Sequence, residues 1–243
     1  MKILINGAGG RMGRALRAMV AQGARGAELA GMVDPYVKEE GMLAALREFT
    51  GECDCIIDFS NHAGVLELLE FAQERKLPVV ICTTGHTASE LEAIEAASVR
   101  IPVFHSGNMS LGIALLVELA RKTAAMFPDA DIEIVESHHN QKLDVPSGTA
   151  LMLAKAVQEA RPESWLLVGR HENGKRTRQE IGIHSLRMGN TVGIHEVIVN
   201  TGTQVITLKH EAQDRALFAE GALAAAAFLN GKAPGMYAMQ DIV

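Results

Sequence analysis

A chain of 243 residues can bury one large α/β core or two smaller ones, and 48% hydrophobic content with only 4% aromatics excludes disorder and favours small side chains packed between helices and sheet. The net charge of −6 and a pI near 5.9 provide no electrostatic footprint for nucleic acid or an anionic membrane, so any anionic ligand needs a local site. The apolar stretches at 111–126 and 222–229 are too short or too interrupted by Glu118, Arg121 and Lys122 to cross a bilayer, and Met1-Lys2 runs into Ile3-Leu4-Ile5 without a leader pattern, so a cytoplasmic protein is expected.

Along the first part of the chain, short apolar runs alternate with segments of helical period. Strands are predicted at 2–6, 29–34, 55–59, 79–82 and 103–104, and helices at 12–22, 63–75 and 89–97. That alternation predicts a parallel sheet covered by helices on both faces. A long amphipathic helix beginning near Ser110 follows, then a strand at 131–137 and a helix at 147–160. Three half-buried strands come next at 180–188, 192–200 and 204–210, and their linkers Gly189-Asn190 and Thr201-Gly202 predict an antiparallel meander. The final Ala-rich helix spans 216–229, and Pro234-Gly235 ends the segment behind it. The fold class is therefore α/β, a Rossmann-type parallel sheet domain plus a second α+β domain with a mixed or antiparallel sheet.

Three cysteines, Cys53, Cys55 and Cys82, are an odd number without metal-ligand spacing, with Cys53 and Cys55 expected on one strand face. They are read as reduced and structural, and no metal site is expected.

Gly7-Ala8-Gly9-Gly10-Arg11-Met12-Gly13 lies between a strand and a helix, where small residues let backbone N–H groups approach a pyrophosphate. The spacing is Gly-x-x-Gly-x-x-Gly, which departs from the standard dinucleotide fingerprint because Met12 stands where the third glycine belongs. A glycine turn alone is a weak signal, equally a tight connection. Asp34, at the end of the second strand and twenty-one residues after Gly13, can accept hydrogen bonds from an adenine ribose, and the order strand, glycine turn, helix, strand, acid favours nucleotide binding. Cys82-Thr83-Thr84-Gly85 and Ser106-Gly107-Asn108-Met109 follow later strands and are candidates for the nicotinamide end, although pattern alone reads them as ordinary turns.

The segment Glu136-Ser137-His138-His139-Asn140-Gln141-Lys142-Leu143-Asp144-Val145-Pro146-Ser147-Gly148-Thr149-Ala150 concentrates two imidazoles, an ammonium and a helix start. Pro146 can begin the helix or precede it, Ser147 or Thr149 can cap it, and the free N–H groups there with Lys142 would make an anion site for a carboxylate. A histidine or a lysine of lowered pKa can donate a proton. The competing reading is a strand end with a solvated lysine. Zinc-site spacing is absent. Arg187 and His195, in the glycine-punctuated stretch 185–196, could contact substrate, but the favoured reading is a hairpin whose polar residues serve packing or subunit contacts.

Taken together, Gly7–Gly13, Thr83-Thr84-Gly85, Asn108-Met109-Ser110, the segment from His138 to Ala150, Arg187-x-Gly189-x-x-x-Gly193-x-His195 and Gly231-Lys232-x-Pro234-Gly235-Met236-Tyr237 resemble the 4-hydroxy-tetrahydrodipicolinate reductase family over nearly the whole chain. The resemblance implies a dinucleotide-binding domain at 1–108 and 214–243, and a substrate-binding and oligomerisation domain at 109–213. It also implies a homotetramer joined through the central sheets. The implied reaction is delivery of hydride from NADH or NADPH to C4 of a small cyclic dicarboxylate, after loss of its 4-hydroxyl as water, in lysine and diaminopimelate biosynthesis. By the same resemblance His138 and Lys142 are catalytic and handle proton donation, while His139, Ser147, Gly148 and Thr149 bind substrate. Gly7, Ala8, Gly9, Gly10, Arg11, Met12, Asp34, Cys82, Thr83, Thr84, Ser106, Gly107, Asn108 and Met109 would bind cofactor. The chain departs from the family pattern at Cys82 (glycine expected), Met109 (often phenylalanine), Ala114 (asparagine expected) and Asp214 (serine usual). Asp34 favours the unphosphorylated ribose, and Arg11 and Lys38 oppose it, so a mild preference for NADH is expected.

Two other functions fit a Rossmann core. Another dehydrogenase of amino-acid metabolism, such as a phosphorylating semialdehyde enzyme, would need a thiol nucleophile in a polar loop. A nucleotide-sensing regulator would need a DNA-binding module, and there is neither a basic segment nor spare length for one.

Overall fold

Ile3, Leu4 and Ile5 are all fully buried, because the strand they form, β1 (Lys2–Asn6), has helices on both sides of it. The computed structural model describes all residues from Met1 to Val243. The chain continues through α1 (Arg11–Ala21), β2 (Glu28–Val33), β3 (Met42–Leu43), β4 (Cys55–Asp58), α2 (Val65–Arg75), β5 (Val79–Ile81), α3 (Ala88–Ser98) and β6 (Pro102–His105). It then forms α4 (Leu111–Met126), β7 (Asp131–His138), α5 (Gly148–Ala160), β8 (Trp165–Val168), β9 (Glu180–Arg187), β10 (Gly193–Asn200) and β11 (Val205–Ala212), and closes with α6 (Ala216–Leu229) and β12 (Gly235–Tyr237).

The structure divides into two units, Met1–Ser110 with Arg215–Ile242 and Leu111–Asp214 with Val243. In the first unit seven strands lie in the order β12-β6-β5-β4-β1-β2-β3, all parallel. Strand order reverses between β1 and β4, which is where this architecture opens a crevice at the carboxyl ends of its strands. Leu4, Ile56, Val79, Ile81 and Val103 pack with Leu68, Leu69 and Ile94 in one core cluster. α6 contributes Ala222, Leu223, Ala225, Ala226 and Leu229, each no more than 1% exposed, and contacts β4, β5 and β6. Small residues allow that close approach: a Cβ at Gly221 would lie only 1.6 Å from the Met109 carbonyl oxygen.

The second unit is a five-stranded sheet of order β11-β10-β7-β9-β8. β10 runs antiparallel to both β11 and β7, while β7 is parallel to β9 and β9 to β8. Helices α4 and α5 cover one face, and Ile132, Ile134, Ile181, Ile183, Val197 and Val199 meet Ile113, Leu116, Leu153 and Val157 there. At the end of α5 the buried Arg161 guanidinium donates to the carbonyls of Ala130 at 2.8 Å and Phe127, closing the α4–β7 connection.

The expected helix at 216–229 and strand at 2–6 stand at those bounds. The expected meander is corrected: β10 and β11 form a hairpin, but β9 is not paired with β10, because β7 lies between them. Alternating polarity marks each strand as half-buried and says nothing about its neighbour. The residues at Gly189-Asn190 are accordingly a crossing over the end of β7, where Met188 N donates to His138 O at 2.9 Å and Asn140 N to Gly189 O at 3.2 Å. Three strands escaped the sequence reading: β3, of two residues, β8, and β12, which adds Gly235–Tyr237 to the edge at β6. Cys53 lies outside β4, so it shares no strand face with Cys55; all three cysteines are free. No helix is long and apolar enough to cross a membrane.

The contact at Gly221 is tight against backbone, which cannot swing aside. Gly221→Ala is expected to destabilise the first unit by about 1–3 kcal/mol, the usual cost of overpacking, read as a lower midpoint in denaturant with an unchanged slope. A variant as stable as the parent would contradict the close approach.

Candidate functional site

In the first unit the glycine loop sits on the point where strand order reverses. Gly7 adopts φ +78°, and a Cβ on it would come within 2.4 Å of the Phe59 carbonyl oxygen. Gly13 opens α1 against the same loop, and its Cβ would meet the Gly7 oxygen at 2.2 Å. These two glycines let the turn close. Gly10 is the N-cap of α1 and makes no side-chain cap bond, and the first turn contains no acid, so the positive end of the helix is left uncompensated. Ala8 and Gly9 are buried beneath it, while Gly10 and Arg11 are exposed and Met12 is half-buried. An open helix end above a backbone made only of small residues suits a pyrophosphate.

Asp34 follows β2 and is 8% exposed. Its Oδ2 accepts from Gly9 N at 3.0 Å and its Oδ1 from Tyr36 N at 2.9 Å, which ties the acid to the loop. A carboxylate has about four lone-pair sites, so two remain for a ribose. Glu39 lies a little further on and holds Arg17 in a two-point pair at 3.0 and 2.5 Å, while Arg11 and Lys38 are exposed.

Loops after β4, β5 and β6 form the other half of this unit's crevice. The Thr83 hydroxyl is turned inward, donating to the buried Asp58 Oδ2 at 2.6 Å, and Asn6 Nδ2 and Ser60 Oγ donate to Asp58 Oδ1 at 2.8 and 2.5 Å. Thr84 is left free to turn outward at the surface. Burial raises the Cys82 thiol well above its ordinary pKa, so it is inert at neutral pH. Ser106 Oγ accepts from Asn108 N at 3.3 Å and Asn108 Oδ1 accepts from Ser110 N at 2.9 Å, with Gly107 exposed between them and Met109 buried.

The densest polar chemistry lies in the second unit, on the helix-covered face at the end of β7. Glu136 and His138 share that face because they are two residues apart on a strand. Glu136 has no exposed surface, and its Oε2 accepts from His138 Nδ1 at 2.5 Å. Arg187, brought alongside by the parallel pairing of β9 with β7, donates to both Glu136 oxygens at 2.9 and 2.8 Å and to the Asp144 carbonyl at 2.7 Å. From the other side β10 places His195 with its ring 5.1 Å from that of His138.

Ser147, and not Thr149, caps α5: its Oγ accepts from Ala150 N at 3.2 Å. The same oxygen lies 3.3 Å from His195 Nε2, and Ser147 N donates to Glu136 Oε1 at 3.2 Å. Ser147 is 1% exposed, so its hydroxyl and amide are committed within the fold, whereas Gly148 is exposed and Thr149 half-buried at the positive helix end. Lys142 Nζ is 2.9 Å from Asp144 Oδ1, and the half-buried His139 begins the turn that leads to it.

Charge follows from these contacts. Burial disfavours the Glu136 carboxylate, but hydrogen bonds from Arg187, His138 and Ser147 outweigh it and hold its pKa down to about 2. Burial lowers His138 below the ordinary histidine value, partly offset by Glu136. His195 is pushed by burial and by His138 down to about 4 and is neutral at physiological pH.

The structure thus brings His138, His139, Lys142, Ser147, Gly148 and Thr149 together on one unit, and gathers the glycine loop, Asp34, 82–84 and 106–109 on the other. Sequence reasoning missed Glu136, which lay in the quoted segment but was given no role. It also read Arg187 and His195 as packing or subunit residues, where they turn out to support the His138 cluster. An acid two residues before a histidine on a strand, facing the same way, was the available signal.

The chain matches two family models, the N-terminus of dihydrodipicolinate reductase over residues 1–109 and its C-terminus over residues 112–243. A 4-hydroxy-tetrahydrodipicolinate reductase of Caldanaerobacter subterraneus subsp. tengcongensis is 43% identical over 246 aligned positions, covering 100% of this chain and 98% of that protein. One of Clostridium tetani is 47% identical over 193 positions, covering 77% of this chain and 74% of its own. A dipicolinate-bound dihydrodipicolinate reductase from Paenisporosarcina sp. TG-14 shares the fold with a TM-score of 0.81 at 24% identity, covering 100% and 99% of the two chains. With both models together spanning almost every residue and relatives of this similarity along the full length, the chain belongs to the dihydrodipicolinate reductase family.

Proposed function

We propose that this protein reduces 4-hydroxy-tetrahydrodipicolinate to tetrahydrodipicolinate with loss of water, at the expense of NADH or NADPH, in lysine and diaminopimelate biosynthesis. The observation that carries the reading is the His138 cluster at the end of β7, beside Lys142 and the N-terminus of α5, in a chain of this family. The first unit is the dinucleotide-binding domain and the second the substrate-binding domain.

The glycine cradle and the uncapped end of α1 fit a nicotinamide dinucleotide, since any side chain at Gly7 or Gly13 would fill the loop's own space. Gly7, Ala8, Gly9, Gly10, Arg11 and Met12 would hold its pyrophosphate, Asp34 its adenine ribose, and Cys82, Thr83, Thr84, Ser106, Gly107, Asn108 and Met109 its nicotinamide end. When bound, the reduced cofactor supplies the hydride that goes to C4.

Everything else is done by the chain's own groups. The positive end of α5, through Gly148 and Thr149, attracts a carboxylate, and His139 and Lys142 extend that field. Ser147 shapes the helix end from inside. His138 and Lys142 are the proton donors: reduction of the conjugated ring needs a proton at the centre neighbouring C4 as hydride arrives, and both groups stand within one short loop. The uncovered face of the second sheet carries Val135, Leu186, Ile194, Ile198 and Val205 among charged residues, and joins copies of the chain in a homotetramer.

His138→Ala and Lys142→Ala are each expected to lower turnover by roughly 10²- to 10⁴-fold, the usual loss on removing a general acid, with NADH affinity nearly unchanged. The assay is NADH oxidation with freshly generated aldol condensation product, alongside cofactor titration by fluorescence. Parent-like turnover in both variants would sink the assignment, and cofactor binding without any turnover by the parent would favour a sensor.

Thr149→Val is expected to weaken a dicarboxylate more than NADH. Calorimetry separates the two affinities, and equal losses would place this helix end at the cofactor instead.

Cofactor choice turns on charge. Asp34 suits the two hydroxyls of an NADH ribose and repels a 2′-phosphate carrying roughly one to two negative charges, and Glu39 both adds to that repulsion and occupies Arg17. Arg11 and Lys38 remain to attract the phosphate. The expected NADH preference in kcat/KM is about tenfold, equivalent to roughly 1.4 kcal/mol, and Asp34→Ala should reduce it. A parent enzyme favouring NADPH, or a ratio insensitive to Asp34→Ala, would refute this.

A further inference from the structure

Every lone pair of Glu136 is spoken for: Oε1 accepts from Ser147 N and from Arg187, and Oε2 from His138 Nδ1 and from Arg187. With no exposed surface it cannot itself touch a substrate. We propose that Glu136 is a positioning residue of the reductase site, a carboxylate oriented by Arg187 that fixes His138 as the Nδ1–H tautomer and locks that ring to the N-terminus of α5.

A carboxylate clamped by a two-point arginine can only accept, so the proton between it and His138 resides on Nδ1 whether the ring is neutral or charged. Any proton exchanged with substrate then passes through Nε2. The fold leaves that nitrogen uncrowded, since Gly193 lies beneath it and a Cβ there would approach Nε2 to 3.2 Å. The same carboxylate accepts from Ser147 N, so the proton donor and the anion-attracting helix end are held by one group, and a shift of either is felt by the other. On the far side the Ser147 hydroxyl, already accepting from Ala150 N, has its proton free for His195 Nε2, which fixes the second ring.

The charged and titratable groups facing His138 are Glu136 on its own strand, Arg187 from β9, His195 from β10 and Lys142 from the loop before α5. Glu136 alone among them favours the protonated ring; Lys142 and Arg187 oppose it. Removing its charge therefore lowers the proton affinity of His138, and the alkaline loss of activity shifts to lower pH.

The inference rests on the reading of the protein as this reductase, and two measurements separate the two. The first needs no substrate: ¹⁵N NMR of histidine-labelled parent protein should show His138 protonated at Nδ1 and unprotonated at Nε2 above its pKa. The second compares pH profiles of kcat/KM for the parent, Glu136→Gln and Glu136→Asp. Glu136→Gln should lose at least tenfold in kcat with NADH affinity within twofold of the parent, and its alkaline limb should move to lower pH. Glu136→Asp, which restores the charge, should return the limb towards the parent position. A His138 protonated at Nε2 in the parent, or a Glu136→Gln enzyme with parental kcat and pH profile, overturns the proposal. If Glu136→Gln does not fold, the parent tautomer decides alone. A parent with the stated tautomer but no turnover supports the positioning role and rejects the reductase reading.

Discussion

A carboxylate with no solvent exposure, gripped at both oxygens by an arginine from the neighbouring strand, is the constraint around which the second unit is arranged. Glu136 and Arg187 can meet only because β7 and β9 run parallel and in the register that sets Ser185 opposite Glu136 and Arg187 opposite His138. A buried ion pair adds little net stability over an apolar pair, but leaving one member unpaired costs about 3–5 kcal/mol. The pair therefore penalises a slipped register more than it rewards the right one. From it hang the tautomer of His138, the start of α5 through Ser147 and the path of the loop carrying Lys142, through the Asp144 carbonyl.

The first unit solves a different problem with the opposite means. Where the second unit fixes its site with charge and side-chain hydrogen bonds, the first removes side chains so that the backbone itself can approach. Gly7 and Gly13 close the turn on Phe59 and on each other, and the loop is then held by Asp34 through Gly9 N. Asp58, Asn6, Ser60 and Thr83 form a second polar knot at the ends of β1, β4 and β5, fixing the floor of the same crevice. The amides of Gly7, Ala8, Gly9 and Gly10 are spent holding the loop itself, so it is the uncapped start of α1 above them that suits a diphosphate, whereas proton transfer to a ring suits residues whose protonation is tuned by neighbours.

Much of the site was legible because its chemistry is contiguous. His138, His139, Lys142 and the helix start at Ser147 lie within ten residues, and the glycine loop within seven. Their supports were illegible for the converse reason. Arg187 is 51 positions from Glu136, and His195 is 48 from Ser147, so no local pattern joins them. The readings at Ser147 and Thr149 show a finer limit. Either hydroxyl could cap the helix on paper, and only the backbone conformation at Ser147 awards it the role.

The sequence by itself determined most of the helices and strands, that a glycine-rich turn joins the first strand to the first helix, and that two histidines and a lysine cluster near the middle of the chain. Those properties depend on neighbours a few residues apart, through backbone propensity, capping and the period of apolar residues. The tertiary structure alone decided that β7 is threaded between β9 and β10, that β12 returns to the edge of the first sheet, and that Glu136 has an arginine to neutralise it. Strand order and buried charge pairing are settled by hydrogen bonds and desolvation between segments far apart in the chain. A half-buried strand shows the same alternation whichever neighbour it takes, so those choices leave no trace in local pattern.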